Sequence, residues 1–150
     1  MKRKSIYADT SFLMSYFIND SHTEAARHAV SGISIPISVS RLGCLEFQNS
    51  VWRKVGTDGF RKEHAERAVR EFEGQIEGGW FELAIPGQDL VWKRAMGIAT
   101  VYSSELKVRS LDILHVAEAL ENASTGFWGF DDRQNSLAAK TGLMMMERLA

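Results

Sequence analysis

The stretch GFWGFDDRQ, residues 126–134, sets the reading of the whole chain. Its first half is glycine and aromatic, a short β-type run. It ends abruptly in two aspartates, and a helical segment, DRQNSLAAKTG, follows. A strand that passes into a helix through an acid is half of a βα unit. The same arrangement stands near the other end, where SIYAD (residues 5–9) runs into DTSFLMSYF (residues 9–17). Two strand-end aspartates, Asp9 and Asp131, would then lie on one edge of a parallel sheet. In such sheets, sites form at the carboxyl ends of the strands, near the reversal of strand order.

The segments between continue the alternation. SHTEAARHAVSG reads as a helix, with Ser21 and Glu24 fitting a capping box and Gly32 the stop. ISIPISV is a second β-type run whose Pro36 predicts an edge or a bulge. SRLGCLEFQNSVWRKV is a helix capped by Ser40, and a strongly charged helix ends at Gly78 and Gly79. WFELAI is a third strand, two further helices cover GQDLVWKRAMGIATVYSSEL and RSLDILHVAEALENA, and LMMMERL offers a fifth strand. There is no repeat and no linker. The expectation is an α/β fold in one domain over residues 1–150, with a mostly parallel sheet of about five strands and helices on both faces.

Composition narrows the function classes. The formal net charge is −1, which argues against a protein held on nucleic acid by a broad basic surface. A nuclease needing only a local cationic patch or metal ions stays open. Cys44 is the single cysteine, so no intramolecular disulfide forms, and the four histidines show no zinc-type spacing. The N-terminal apolar run breaks at Asp9, too early for a signal-peptide core, and nothing approaches a membrane span of about 20 apolar residues. A reducing, cytoplasmic setting is expected.

Four acids stand in telling places. Asp9 and Asp131 end β-type runs, where capping the next helix is the plain alternative. Asp132, one residue on, reads as the better cap for the last helix, which would free Asp131 to face the site. Asp112 falls on the flank of the apolar stripe Ile113, Val116, Ala117 and Leu120, with Ser110 as its helix cap. Glu46 lies one helical turn after Leu42, where a solvated face is the plain reading. Converging carboxylates repel and raise one another's pKa values. A hard divalent cation relieves this, and Mg²⁺ or Mn²⁺ suits all-oxygen ligation. Such a metal activates water and neutralises charge on a phosphoryl group, so phosphodiester hydrolysis is the natural chemistry.

Taken together, DTSFLMSYF, SRLGCLEF, RSLDILHVAEAL and GFDDRQNSLAAKTGL resemble the PIN domain, in particular VapC-type toxins, in order and spacing from Tyr7 to Leu143. The resemblance implies an α/β/α sandwich that cleaves RNA through four acids, Asp9, Glu46, Asp112 and Asp131, with Mg²⁺ or Mn²⁺. It implies Ser11 as the hydroxyl contacting the site, a homodimer, and an antitoxin protein that silences the nuclease. One position departs. The family usually carries Thr or Ser two residues before the fourth acid, and here that residue is Gly129.

Arg133 and Arg109 are the candidate contacts to an RNA phosphate. His115, one turn from Asp112, reads as structural, because a metal-activated water needs no imidazole base. A haloacid-dehalogenase-type phosphatase wants a second Asp two residues after the first, and Ser11 stands there. The alternatives kept are a housekeeping RNA-processing PIN nuclease and a catalytically silent PIN-fold binding module.

Overall fold

A computed structural model describes residues 4–146. Five short strands, β1 (Ile6–Ala8), β2 (Ile37–Val39), β3 (Phe81–Leu83), β4 (Gly126–Trp128) and β5 (Met144–Met145), form one sheet in the order β3-β2-β1-β4-β5. All four pairings are parallel. Seven helices join them: α1 (Thr10–Phe17), α2 (Thr23–Ser31), α3 (Arg41–Arg53), α4 (Lys62–Glu77), α5 (Gln88–Leu106), α6 (Ser110–Glu121) and α7 (Asp132–Lys140). The chain thus has the expected α/β architecture. Strand order reverses between β1 and β4, and Asp9 and Asp131 follow the carboxyl ends of those two strands.

Strand side chains alternate between two cores, as the period of two requires. Ile6, Ala8, Ile37, Val39, Phe81 and Trp128 join one core, with Phe12, Phe47 and Phe72 from α1, α3 and α4. Tyr7 and Phe127 join the other, with Val91, Ile98, Val116 and Leu137 from α5, α6 and α7. A sheet covered on both faces needs strands apolar at every position, and β1, β2 and β4 are buried throughout. Four phenylalanines fix the first layer. Phe47 lies 5.5 Å from Phe17 and 4.7 Å from Phe72 between ring centroids, and both Phe17 and Phe72 reach Phe81 on β3. Tilted and edge-on pairs of this kind add roughly 0.5–1.5 kcal/mol each beyond area burial.

Two local readings change. Pro36 does not mark an edge, because β2 lies between β1 and β3. The proline precedes the strand, and its carbonyl accepts the Ile6 N–H at 3.1 Å, so its missing donor costs the ladder nothing there. Ser21 does not cap α2. His22 precedes that helix without a side-chain cap bond, and the turn is held by Asp20, whose carboxylate accepts the His22 N–H at 2.8 Å. Residues 147–149 of the expected fifth strand lie outside the described residues. Among the described residues no helix is long and apolar enough to cross a membrane.

Phe47 is fully buried where α1, α3, α4 and β3 meet. Phe47→Ala should therefore lower unfolding free energy by about 3–5 kcal/mol in urea titration. A loss below about 1 kcal/mol would mean that this layer does not depend on the aromatic contact.

Candidate active site

Asp9 is the most constrained acid. It is 1% exposed, and its backbone N–H donates to the Trp128 carbonyl at 3.0 Å, which ties the exits of β1 and β4 together. Its Oδ1 accepts the Phe12 N–H at 2.8 Å and the Ser11 hydroxyl at 2.7 Å. Asp9 itself is therefore the α1 cap. Ser11 Oγ also accepts the Phe130 N–H at 2.8 Å, so the expected site hydroxyl links α1 to the segment after β4. Asp9 Oδ2 is buried with no hydrogen-bond partner. Burial lifts the Asp9 carboxyl to about 6, against opposing bonds and charge from Ser11, His115 and Phe12, while Asp131 adds repulsion.

Gly129 explains how this carboxylate fits. A Cβ at that position would stand 2.1 Å from Asp9 Oδ2 and 2.5 Å from its Cγ. Side-chain atoms cannot share that space. Where the resemblance leads one to expect a hydroxyl, the Asp9 carboxylate lies against bare backbone instead, and Ser11 provides the hydroxyl contact.

The paired aspartates divide differently from the sequence reading. Asp131, not Asp132, caps α7: its Oδ1 accepts the Gln134 N–H at 2.9 Å. Its other oxygen stands 3.8 Å from Arg109 Nη2. One side chain thus serves both helix and site, because a cap occupies only one carboxylate oxygen. Asp132 is the first helical residue and is exposed. On α6, Ser110 is likewise not the cap. Asp112 is 5% exposed and accepts from Arg109 through the backbone N–H at 3.0 Å and Nε at 3.3 Å. The exposed Arg109 guanidinium therefore stands beside both Asp112 and Asp131, and they raise its pKa further.

Glu46 projects from α3. Partial burial raises its carboxyl pKa, but bonds and charge from His115 and a bond from Thr10 outweigh that and leave it lowered. Thr10 Oγ1 donates to Glu46 Oε1 at 2.9 Å, and His115 Nε2 meets the same oxygen in a short contact.

These residues line one cavity of about 440 Å³ that holds Asp9, Glu46, Asp112 and Asp131 together with Ser11, Arg109 and His115. Arg133 is exposed and does not line it. A larger groove, about 640 Å³ along α5 and α6, contains none of the four acids. Among the described residues, no three acidic, imidazole or thiol groups are drawn together closely enough to hold a metal ion as they stand. Each acid is instead partly satisfied by protein donors: Asp9 by Ser11, Glu46 by Thr10 and His115, Asp112 by Arg109 and Asp131 by Gln134. The buried Asp9 Oδ2 is an acceptor that the protein leaves without a hydrogen bond, and an all-oxygen set with such an atom suits a hard cation.

The family model described as PIN domain matches residues 6–140. The chain belongs to the PIN domain family. Among solved structures, this PIN domain is similar to VapC20 of Mycobacterium tuberculosis, described as a sarcin-ricin loop cleaving toxin. The two share 16% identity at a TM-score of 0.66, over 87% of this chain and 93% of that one. It is also similar to FitAcB from Neisseria gonorrhoeae, at 12% identity and a TM-score of 0.62, over 95% of this chain and 96% of that one. At these identities the likeness is one of fold. No curated protein matches the sequence.

Sequence reasoning passed over two residues of this PIN domain's pocket. Thr10 stands beside the strand-end aspartate with no mark of its own, and His115 reads as structural. The available signal for His115 was its i+3 spacing from Asp112, which places both near one helix face. Its contact with Glu46 on α3 has no counterpart in local periodicity.

The Asp9 shift has a signed consequence. Its carboxyl moves from 3.8 to about 6 on folding, so the folded chain binds that proton more tightly. The resulting stability is fully present below about pH 4 and is lost as pH rises through 6, by on the order of 3 kcal/mol. Urea unfolding without divalent ions should show this decline between pH 4 and pH 7, and Asp9→Asn should remove it. An unchanged pH profile in Asp9→Asn would contradict the buried, raised carboxyl.

Proposed function

We infer that this PIN domain is a Mg²⁺- or Mn²⁺-dependent endoribonuclease, acting as a single domain, in which Asp9, Glu46, Asp112 and Asp131 hold the cation. The observation that carries the reading is the buried Asp9 carboxylate, one oxygen of which has no partner, in the lining of a cavity that has three further carboxylates in its wall. An unmade hydrogen bond at a buried acceptor costs roughly 1–3 kcal/mol, more when the group is charged. A cation ligand offsets that cost directly.

A divalent ion, when bound, activates a water and neutralises charge on the phosphoryl group under attack. The chain's own residues set the stage. Ser11 and the Phe12 N–H fix the Asp9 carboxylate, leaving Oδ2 free. Thr10 and His115 fix Glu46 through Oε1. Arg109 presents an exposed, forked donor at the cavity and suits a phosphate oxygen pair, and Arg133, exposed in the first turn of α7, is a second candidate contact outside the cavity wall. With a net charge of −1, RNA is held by these local contacts rather than by a basic face.

The biological role we assign is the toxin of a type II toxin–antitoxin pair, cytoplasmic, homodimeric and restrained by an antitoxin protein. Its support is the PIN fold together with likeness to VapC20. One observation favours a second reading, a catalytically silent PIN module: the acids are not gathered into a cage, and Arg109 occupies the side of Asp112 and Asp131. A housekeeping RNA-processing nuclease would share the chemistry and differ only in its regulation.

Incubation with single-stranded RNA separates these readings. Cleavage should require Mg²⁺ or Mn²⁺, stop with EDTA, and fall to background in Asp9→Asn and Asp112→Asn, while Asp132→Asn keeps wild-type activity. Robust cleavage in EDTA would sink the metal-dependent reading. Metal binding without cleavage of any RNA would support the silent module.

A further inference from the structure

Behind the cavity runs a row of buried polar groups that metal ligation alone does not require. Tyr7 on β1 and Ser40 at the start of α3 are fully buried, and His115 on α6 is 3% exposed. Tyr7 Oη lies 2.7 Å from Ser40 Oγ and 2.7 Å from His115 Nδ1. His115 Nε2 meets Glu46 Oε1. The row therefore joins three elements that the sequence keeps far apart.

Counting protons fixes its direction. Ser40 Oγ accepts the Gly43 N–H at 2.9 Å as the α3 cap. Its own proton must go to an acceptor, and the one at hand among the described residues is Tyr7 Oη. Tyr7 then donates to His115 Nδ1, which must carry a lone pair. The imidazole proton consequently sits on Nε2 and points at Glu46. Any arrangement with a proton on Nδ1 leaves either the Tyr7 or the Ser40 hydroxyl proton buried without an acceptor, a costly state. Every donor in the row thus points one way, from the Gly43 amide to the Glu46 carboxylate.

We propose that His115 is a positioning residue for Glu46, locked as the Nε2–H tautomer by the Ser40–Tyr7 relay. The proposal rests on the inferred role of Glu46 in the site. His115 and Thr10 both take Oε1, while no described residue donates to Oε2. The relay therefore pins one oxygen of Glu46 and leaves its partner for the cavity, as Ser11 and Phe12 do for Asp9. Asp9 and Glu46 are held by the same device: two donors on one oxygen, none on the other. The lock is built from β1, α3 and α6, so docking these elements against one another also sets the Glu46 orientation. Partners that orient a ligating side chain in this way change metal affinity or activity by about 10- to 100-fold when removed.

The test uses the full chain with ¹⁵N-labelled histidine. Long-range proton–nitrogen NMR reads which ring nitrogen of each imidazole carries the proton, and His115→Gln identifies the His115 signals. Wild type should show Nε2–H with a bare Nδ1 that accepts a hydrogen bond, and Tyr7→Phe, which deletes only the hydroxyl, should keep Nε2–H and move the Nδ1 nitrogen shift to that of a lone pair with no donor. In RNA cleavage, His115→Leu should lower kcat by about 10-fold or more with KM little changed. His115→Gln, whose amide can still donate to Glu46, should recover most of that loss. A wild-type Nδ1–H tautomer, or equal kcat for the Gln and Leu variants, would overturn the proposal. If no variant and no wild-type sample cuts RNA, the nuclease reading fails, and the tautomer and its response to Tyr7→Phe still decide the relay.

Discussion

A carboxylate buried at the end of a central strand is the constraint on which the site depends. Asp9 sits where β1 and β4 diverge, nearly without solvent, with one oxygen held by two donors and the other by none. Burial of this kind favours the neutral acid, and the raised pKa of Asp9 records it. The fold tolerates the arrangement because the Trp128 carbonyl, Ser11 and Phe130 tie the surrounding backbone together, and because Gly129 has no side chain to fill the space. The unmet hydrogen bond is local to one oxygen atom, and the Asp9 residue lines the cavity in whose wall the other three acids stand.

Parallel topology does the rest of the gathering. The reversal of strand order between β1 and β4 brings Asp9 and Asp131 to adjacent strand ends. α6 carries Asp112, and α3, which follows β2, carries Glu46. Residues separated by more than a hundred positions thus meet at one edge because four parallel pairings share a direction. The two hydrophobic layers keep that edge rigid. Strand side chains alternate between them, so a shift of one residue in β1 would move Tyr7 out of its row and Asp9 away from Gly129 together.

Elements were legible in the sequence because each carries a local signature. Short apolar runs gave the five strands, and stripes at helical spacing gave the helices. The four acids stood out because strand ends and helix starts are where parallel sheets place chemistry. What stayed hidden was set by geometry across elements. Asp131 and Asp132 look alike as caps, and only the backbone direction after β4 shows that Asp131 takes the Gln134 N–H. Pro36 reads as an edge signal until the neighbouring ladder shows a carbonyl acceptor to be all that is needed there. Gly129 looked like a missing hydroxyl, whereas it is the clearance for Asp9. His115 carries no local mark of its partner, because Glu46 lies on a different helix.

If Asp9 and its three acidic neighbours hold a divalent cation, as we propose, the ion should bind in the absence of substrate. Calorimetric titration of the full chain with Mn²⁺ alone, without RNA, tests it most directly. Wild type should show saturable binding that is lost in Asp9→Asn. An absence of binding to wild type, or equal binding in Asp9→Asn, would contradict it.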